Sequence, residues 1–286
     1  MISFAIIAPG IDVFGKLATG EFPSAQISLG RFVVQCLLLL PIVIWRKELR
    51  LLSRSEALLH GLRGFLIAMA TMMFFSALRY LPITDAIAIF FVEPMIVVLL
   101  GAWLLGEPTG WRRYLACFVG FIGALFVIQP SFADVGWPAL FPLGTAITFS
   151  LYLILTRKLA LNTDPFAMQF YAGLAGGLTV AFFLYWGEGT GSLMFDPVWP
   201  SLNGALLLLG VGVAATISHM LLVFGFQRAP ASVLAPFQYL EIISATLFGF
   251  LVFGDFPDAY KWLGISIIVA SGLFIFWRER QLGKAA

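Results

Sequence analysis

Charge is what this chain most conspicuously lacks. Only 11% of its 286 residues are charged, against about 25% in an ordinary soluble domain. Such a chain has too little polar surface to cover itself in water. It carries a net charge of +2 and no long basic run, which excludes a nucleic-acid partner. It has two cysteines, Cys36 and Cys117. Each stands alone inside an apolar run, as small core residues do, and neither belongs to a disulfide framework or metal cluster. HExxH, GxSxG and a Walker phosphate loop are all missing. Their absence argues against an enzyme, against a cofactor and against primary active transport by this chain alone. No connection is long enough to fold as a soluble domain. Period-two alternation is absent, so strand-based spanning is excluded as well.

What is present is hydrophobic length. The mean hydropathy is +0.97 and 60% of residues are hydrophobic. A bilayer core takes about 20 mostly apolar residues per helix. Ten stretches qualify: Ile2–Leu17, Gln26–Trp45, Ala57–Leu78, Thr84–Leu104, Arg112–Gln129, Trp137–Arg157, Phe166–Trp186, Asn203–Gln227, Ser232–Phe253 and Tyr260–Trp277. Breakers fall between them, as at Pro23, Pro82, Pro108, Pro130, Pro165 and Pro230. The opening MISFAIIAPG has no basic stretch and no clear cleavage site, so it reads as a first span rather than a cleaved signal. The expected fold class is an all-α polytopic membrane protein.

The chain also contains one stretch twice. Leu81–Glu93 aligns without a gap on Ala229–Glu241: Pro82 meets Pro230 and Glu93 meets Glu241. Downstream, Gly101 meets Gly249, Gly106 meets Gly254, and Gly123–Ile128 meets Ser271–Phe276. This is a duplication, with one repeat over residues 1–130 and the other over 131–286. Twelve of the seventeen Lys and Arg residues follow even-numbered spans. Lys16, Arg79 and Lys261 lie on the other side, and Arg31 and Arg63 lie within spans. The bias places both termini in the cytoplasm. Five spans per repeat is an odd number, so the repeats run in opposite directions through the membrane. Inverted five-helix repeats around a central cavity are a recurrent transporter architecture.

Ionisable groups at membrane depth are costly and point to function. Glu93 and Glu241 fall near the centres of the fourth and ninth spans; a structural bond to a neighbouring helix is the alternative for each. Pro94 and Pro236 each free a carbonyl about one turn earlier, which makes hinges or static bends. Asp12 lies in the first span, and Asp85 at the outer end of the fourth reads as a cap or interface residue. Arg31 could hold a substrate carboxylate, neutralise a carboxylate or snorkel outward; Arg63 reads as snorkelling to the cytoplasmic side. His219, aligned with Thr71, is a packing residue or a proton relay. Gln238, Tyr239 and Tyr152 could offer hydrogen bonds to a cavity. Gly173, Gly176 and Gly177 in the seventh span, Gly210 and Gly212 in the eighth, and Gly120 and Gly123 in the fifth read as packing devices.

The repeated unit resembles the EamA domain of the drug/metabolite transporter superfamily. The resemblance rests on Pro82-Ile83-Thr84-Asp85-Ala86, Glu93-Pro94, Leu105-Gly106-Glu107 and Gly120-Phe121-Ile122-Gly123-Ala124, and it covers nearly the whole chain. The second copy departs, with Glu241-Ile242 and Gly254-Asp255. The resemblance implies an exporter of small metabolites in the bacterial inner membrane, with amino acids, including aromatic ones, a prominent substrate class. Alternating access is the expected mechanism, with proton coupling through Glu93 or Glu241 and facilitated diffusion both compatible. A multidrug exporter of lipophilic cations and a carrier of sugar phosphates or nucleotide sugars are the alternatives. The expected partners are a small-molecule substrate and the lipid bilayer, and the expected state is a monomer or weak oligomer.

Overall fold

The computed structural model describes residues 2–105, 111–160, 163–228 and 240–285, and every regular element in them is helical. The helices are α1 (Ile2–Ala18), α2 (Ser24–Trp45), α3 (Arg54–Leu78), α4 (Ile83–Phe90), α5 (Glu93–Leu105), α6 (Trp111–Val135), α7 (Phe141–Ala160), α8 (Pro165–Gly187), α9 (Leu202–Arg228), α10 (Glu241–Phe248) and α11 (Ala259–Ala285). A 3₁₀ turn, Trp137–Leu140, leads into α7, and a π-helical turn, Gly249–Phe253, follows α10. Six stretches are long and apolar enough to cross a membrane, among them Ile83–Gly101, which joins α4 to α5.

Local chemistry sets several of these limits. Ser53 and Glu56 form a capping box at the start of α3. Asp164 caps α8 by accepting from the Phe166 and Ala167 amides, and Pro165 takes the first helical position. Two limits differ from the sequence expectation. The fourth predicted span is broken at Phe91–Val92. Pro94 has no amide proton to give to the Phe90 carbonyl, so the ladder loses a rung there. The fifth span does not stop at Pro130; α6 runs on to Val135. Gly136 ends it, with φ of 69° and its amide returned to the Phe132 carbonyl at 2.9 Å.

Glycines set the closest helix approaches. A Cβ on Gly64 of α3 would meet the Ala172 carbonyl of α8 at 2.8 Å, and one on Gly264 of α11 would meet the Gly123 carbonyl of α6 at 2.7 Å. Backbone faces backbone at both places, so the small-residue reading of Gly123 holds.

The two ends of the bundle carry different ion pairs. At one end α2 stops and α3 and α8 begin, and Arg46 pairs with Asp164 at 2.8 Å. At the other, α1 and α3 stop while α2, α4 and α11 begin. Lys16 pairs there with Asp255 at 2.9 Å, and Lys261 with Asp85 at 2.7 Å. Asp85 is thus an interface residue, as its position at a span end implied. Cys36 is free.

Candidate functional site

Several buried polar side chains surround one internal cavity of about 90 Å³. Asp12 of α1, Arg31 of α2, Thr71 of α3, Thr145 of α7, His219 of α9 and Glu241 of α10 supply its polar wall, and Phe4, Phe74, Phe75, Phe90 and Phe149 supply aromatic wall. Six helices therefore contribute polar atoms to a space that holds a few waters. It is well below the roughly 300–1,000 Å³ of a ligand pocket.

The guanidinium of Arg31 is the only cation of this wall among the described residues. Its Nη1 donates to Thr71 Oγ1, and Thr71 Oγ1 donates in turn to the Ile67 carbonyl at 2.7 Å. The Arg31 Nε has no hydrogen-bond partner among the described residues. Arg31 also lies over the Phe32 ring, 5.2 Å from its centroid. Asp12 is within electrostatic reach of Arg31, and Glu241 is within reach of Asp12 and Glu93. The His219 ring meets Phe149 and Tyr152 edge-on, with centroids 6.1 and 6.2 Å away, and its Nδ1 has no partner among the described residues. A wall with unfilled donors and acceptors is open to a ligand's polar atoms, because buried polar groups are otherwise almost always bonded.

Of the residues singled out in the sequence, Asp12, Arg31, His219 and Glu241 thus meet at one cavity. Thr71 and His219, aligned with each other in the sequence, both line it. Glu93 does not. It begins α5 beyond the break at Phe91–Val92, is buried, and neither carboxyl oxygen has a partner among the described residues. Its backbone carbonyl accepts from Ser150 Oγ at 3.2 Å. Gln238, Tyr239 and Pro236 lie outside the described residues. Pro94 sits in the first turn after the break.

Tyr152 and Arg63 belong to a separate polar cluster. Arg63 is fully buried, which overturns the snorkelling expectation. Its Nε donates to Thr156 Oγ1 at 2.8 Å, Nη1 to the Met168 carbonyl at 2.6 Å, and Nη2 to Tyr152 OH at 2.8 Å and to Gln169 Oε1. Acceptors on α7 and α8 replace the water that snorkelling would have reached. The Tyr152 hydroxyl donates to Gln169 Oε1 at 3.2 Å, so it is spent inside this cluster rather than on the cavity. The aromatic wall and Thr145 were missed. With 29 Phe in the chain, nothing local marks five of them. Thr71 did carry a signal, its alignment with His219.

The profile of the EamA-like transporter family matches residues 1–129 and 136–277. The chain belongs to the EamA-like transporter family. It is therefore a multi-pass membrane protein of a transporter family. Among curated relatives, it is 26% identical over 272 residues to an S-adenosylmethionine uptake transporter of Rickettsia bellii, covering 94% of this chain and 89% of that one. It is 29% identical to a riboflavin transporter of Vibrio cholerae, covering 98% and 91%, and 26% identical to a pseudopaline exporter of Pseudomonas aeruginosa, covering 90% and 87%. A solved crystal structure superposes with a TM-score of 0.66 at 18% identity, covering 97% of both chains, so the fold is shared.

Proposed function

We propose that this family member is a secondary transporter of small amphipathic metabolites bearing an amino-acid head group. It exports them across the bacterial inner membrane by alternating access. One observation carries the reading: a single guanidinium, Arg31, shares an aromatic-walled cavity with the carboxyl groups of Asp12 and Glu241. Arg31 takes the substrate carboxylate. Asp12 and Glu241 take the ammonium, and the Phe rings take the apolar body. The relatives transport different molecules in different directions, so they support the transport class rather than this substrate. Two carboxyl groups against one guanidinium favour a second reading, a substrate with one further positive charge, as in S-adenosylmethionine.

The architecture proposed with it has ten spans in two inverted five-helix repeats, residues 1–130 and 131–286, with both termini cytoplasmic. The gap in the family match at residues 130–135 supports the division. The lysine and arginine bias supports the orientation. Rocking about Pro94 and Pro236 would open the cavity to each side in turn, in a monomer or weak oligomer.

The test is counterflow in proteoliposomes with labelled phenylalanine, tryptophan and S-adenosylmethionine. Trans-stimulated flux of at least one is expected. No flux of any amino-acid-headed solute, with riboflavin or lipophilic cations moving instead, would overturn the substrate assignment. A pH gradient that drives uphill flux assigns proton exchange; one that leaves it unaltered assigns facilitated diffusion.

A further inference from the structure

A larger pocket, about 390 Å³, lies at the end of the bundle where α2 begins and α3 stops. Its wall includes Ser24, Ser76, Arg79, Tyr80, Trp137 and Met194. None of these residues lines the central cavity, and no role described above uses the pocket. We propose that it is a second binding site, for an amphipathic monoanion: a carboxylate or phosphate ester on an apolar or aromatic body.

Four observations point there. First, Arg79 is the pocket's cation. Its Nη2 donates to the Phe22 carbonyl at 2.6 Å, which fixes the guanidinium plane, yet its buried Nε has no partner among the described residues. Second, the other cations placed at this end are already paired, Lys16 with Asp255 and Lys261 with Asp85. Acids near the pocket are engaged as well: Glu21 accepts from Ser201 and Asp196 from the Gly189 and Gly191 amides. Arg79 has no carboxylate within ion-pair distance among the described residues. Third, Ser24 is 1% exposed and its Oγ has no hydrogen-bond partner among the described residues. It stands in the first turn of a 22-residue helix, where the partial positive charge of the helix terminus favours an anion. Fourth, apart from Ser76, whose hydroxyl donates to the Met72 carbonyl at 2.7 Å, the rest of the wall is apolar or aromatic. The Gly187–Leu202 connection closes it, held by the Ala25 amide on the Met194 carbonyl at 3.0 Å. A bare phosphate would leave that wall unused; a carboxylate with a ring would not.

The pocket and the central cavity share three helices, α2, α3 and α7. Thr71 and Phe75 of α3 face the cavity, and Ser76 and Arg79 face the pocket. Eight residues of helix from Thr71 to Arg79 span roughly 12 Å. Met73 of α3 lines the pocket as well, its Sδ 2.8 Å from where a Cβ on Gly144 of α7 would lie. The binding claim needs neither a direction nor a substrate of transport.

Equilibrium binding tests it on the full chain in phosphatidylcholine nanodiscs, with indole-3-acetate as the soluble probe and tryptamine as its cationic counterpart. Indole-3-acetate is expected to bind, tryptamine at least tenfold more weakly. Arg79→Gln should weaken indole-3-acetate at least tenfold, Arg79→Lys less, and Trp137→Ala several-fold, while Arg50→Ala, at the other end of the bundle, leaves it within twofold. Melting temperatures identify any variant that has lost its fold, and Trp137→Ala, at a ring 76% exposed, keeps the test open if Arg79→Gln has. A second arm replaces part of the lipid with phosphatidylglycerol. Competition that disappears in Arg79→Gln makes a headgroup phosphate an occupant; no competition leaves the soluble carboxylate. The proposal is overturned if neither probe nor phosphatidylglycerol binding depends on Arg79, or if Arg31→Gln alone abolishes binding of indole-3-acetate.

Discussion

Arg31 and Arg63 look alike in the sequence, one arginine within an apolar span each, and both are buried in the folded chain. Their surroundings differ. Arg63 donates to four acceptors, from Thr156, Met168, Tyr152 and Gln169. Arg31 has Thr71, an Nε with no partner among the described residues and a cavity shared with Asp12 and Glu241. A guanidinium with every edge engaged ties helices together and has nothing left for a ligand. One with an edge unengaged, beside acids and rings, is arranged to receive something. The cost of burying charge is met inside the protein at Arg63; at Arg31 a substrate could complete it.

The largest effect that would break this contrast is on stability. Arg63→Met leaves the Tyr152, Thr156 and Met168 oxygens short of a donor inside the protein, while Gln169 Oε1 keeps the Tyr152 hydroxyl. Each such group costs about 1–3 kcal/mol, so thermal unfolding in detergent should show a loss of at least about 3 kcal/mol. A variant as stable as the parent would remove Arg63 as a helix clamp. Next comes Arg31→Gln. It should lower transport roughly tenfold to a hundredfold, the equivalent of about 1.5–3 kcal/mol for a charged hydrogen bond to substrate, with a far smaller drop in melting temperature than Arg63→Met. Arg31→Lys should not restore it, because an ammonium lacks the planar fork. Equal melting losses in the two arginine variants would erase the contrast.

The carboxyl groups sharpen it further. Glu241 lines the cavity and Glu93 does not. Glu241→Gln should raise KM several-fold, whereas Glu93→Gln should leave KM within about twofold and lower the maximal rate; matching KM shifts would contradict their different placement. Smallest of all is Arg50, an exposed arginine paired with Glu56 at 2.5 Å. Solvent-exposed ion pairs contribute little, so Arg50→Ala should leave both transport and melting temperature unaltered within error. Anything larger would mean that this end of the bundle carries more than a surface pair.

Much of the fold was legible because it is local. Hydropathy located the long runs that became α2, α3, α8 and α9 to within a few residues. It could not locate the break at Phe91–Val92, since both residues are as apolar as their neighbours. It could not tell that Gly136 rather than Pro130 ends α6, because a proline bend can be held by packing from other helices. At the site, Asp12, Arg31, His219 and Glu241 stood out as rare polar residues in apolar runs. Tyr152 stood out for the same reason, yet its hydroxyl found Arg63 and Gln169. The five cavity phenylalanines carried no such mark.

By itself, the sequence determined that this is a helical membrane protein. In hydrocarbon every backbone polar group must be satisfied within its own segment, so run length and scarcity of charge are enough. Only the tertiary structure decided which buried polar groups are spent and which are free. Thr156, Met168 and Gln169, which satisfy Arg63, lie 93 to 106 residues away in the chain. No periodicity or propensity encodes a partner at that distance. It is set by how α3, α7 and α8 pack.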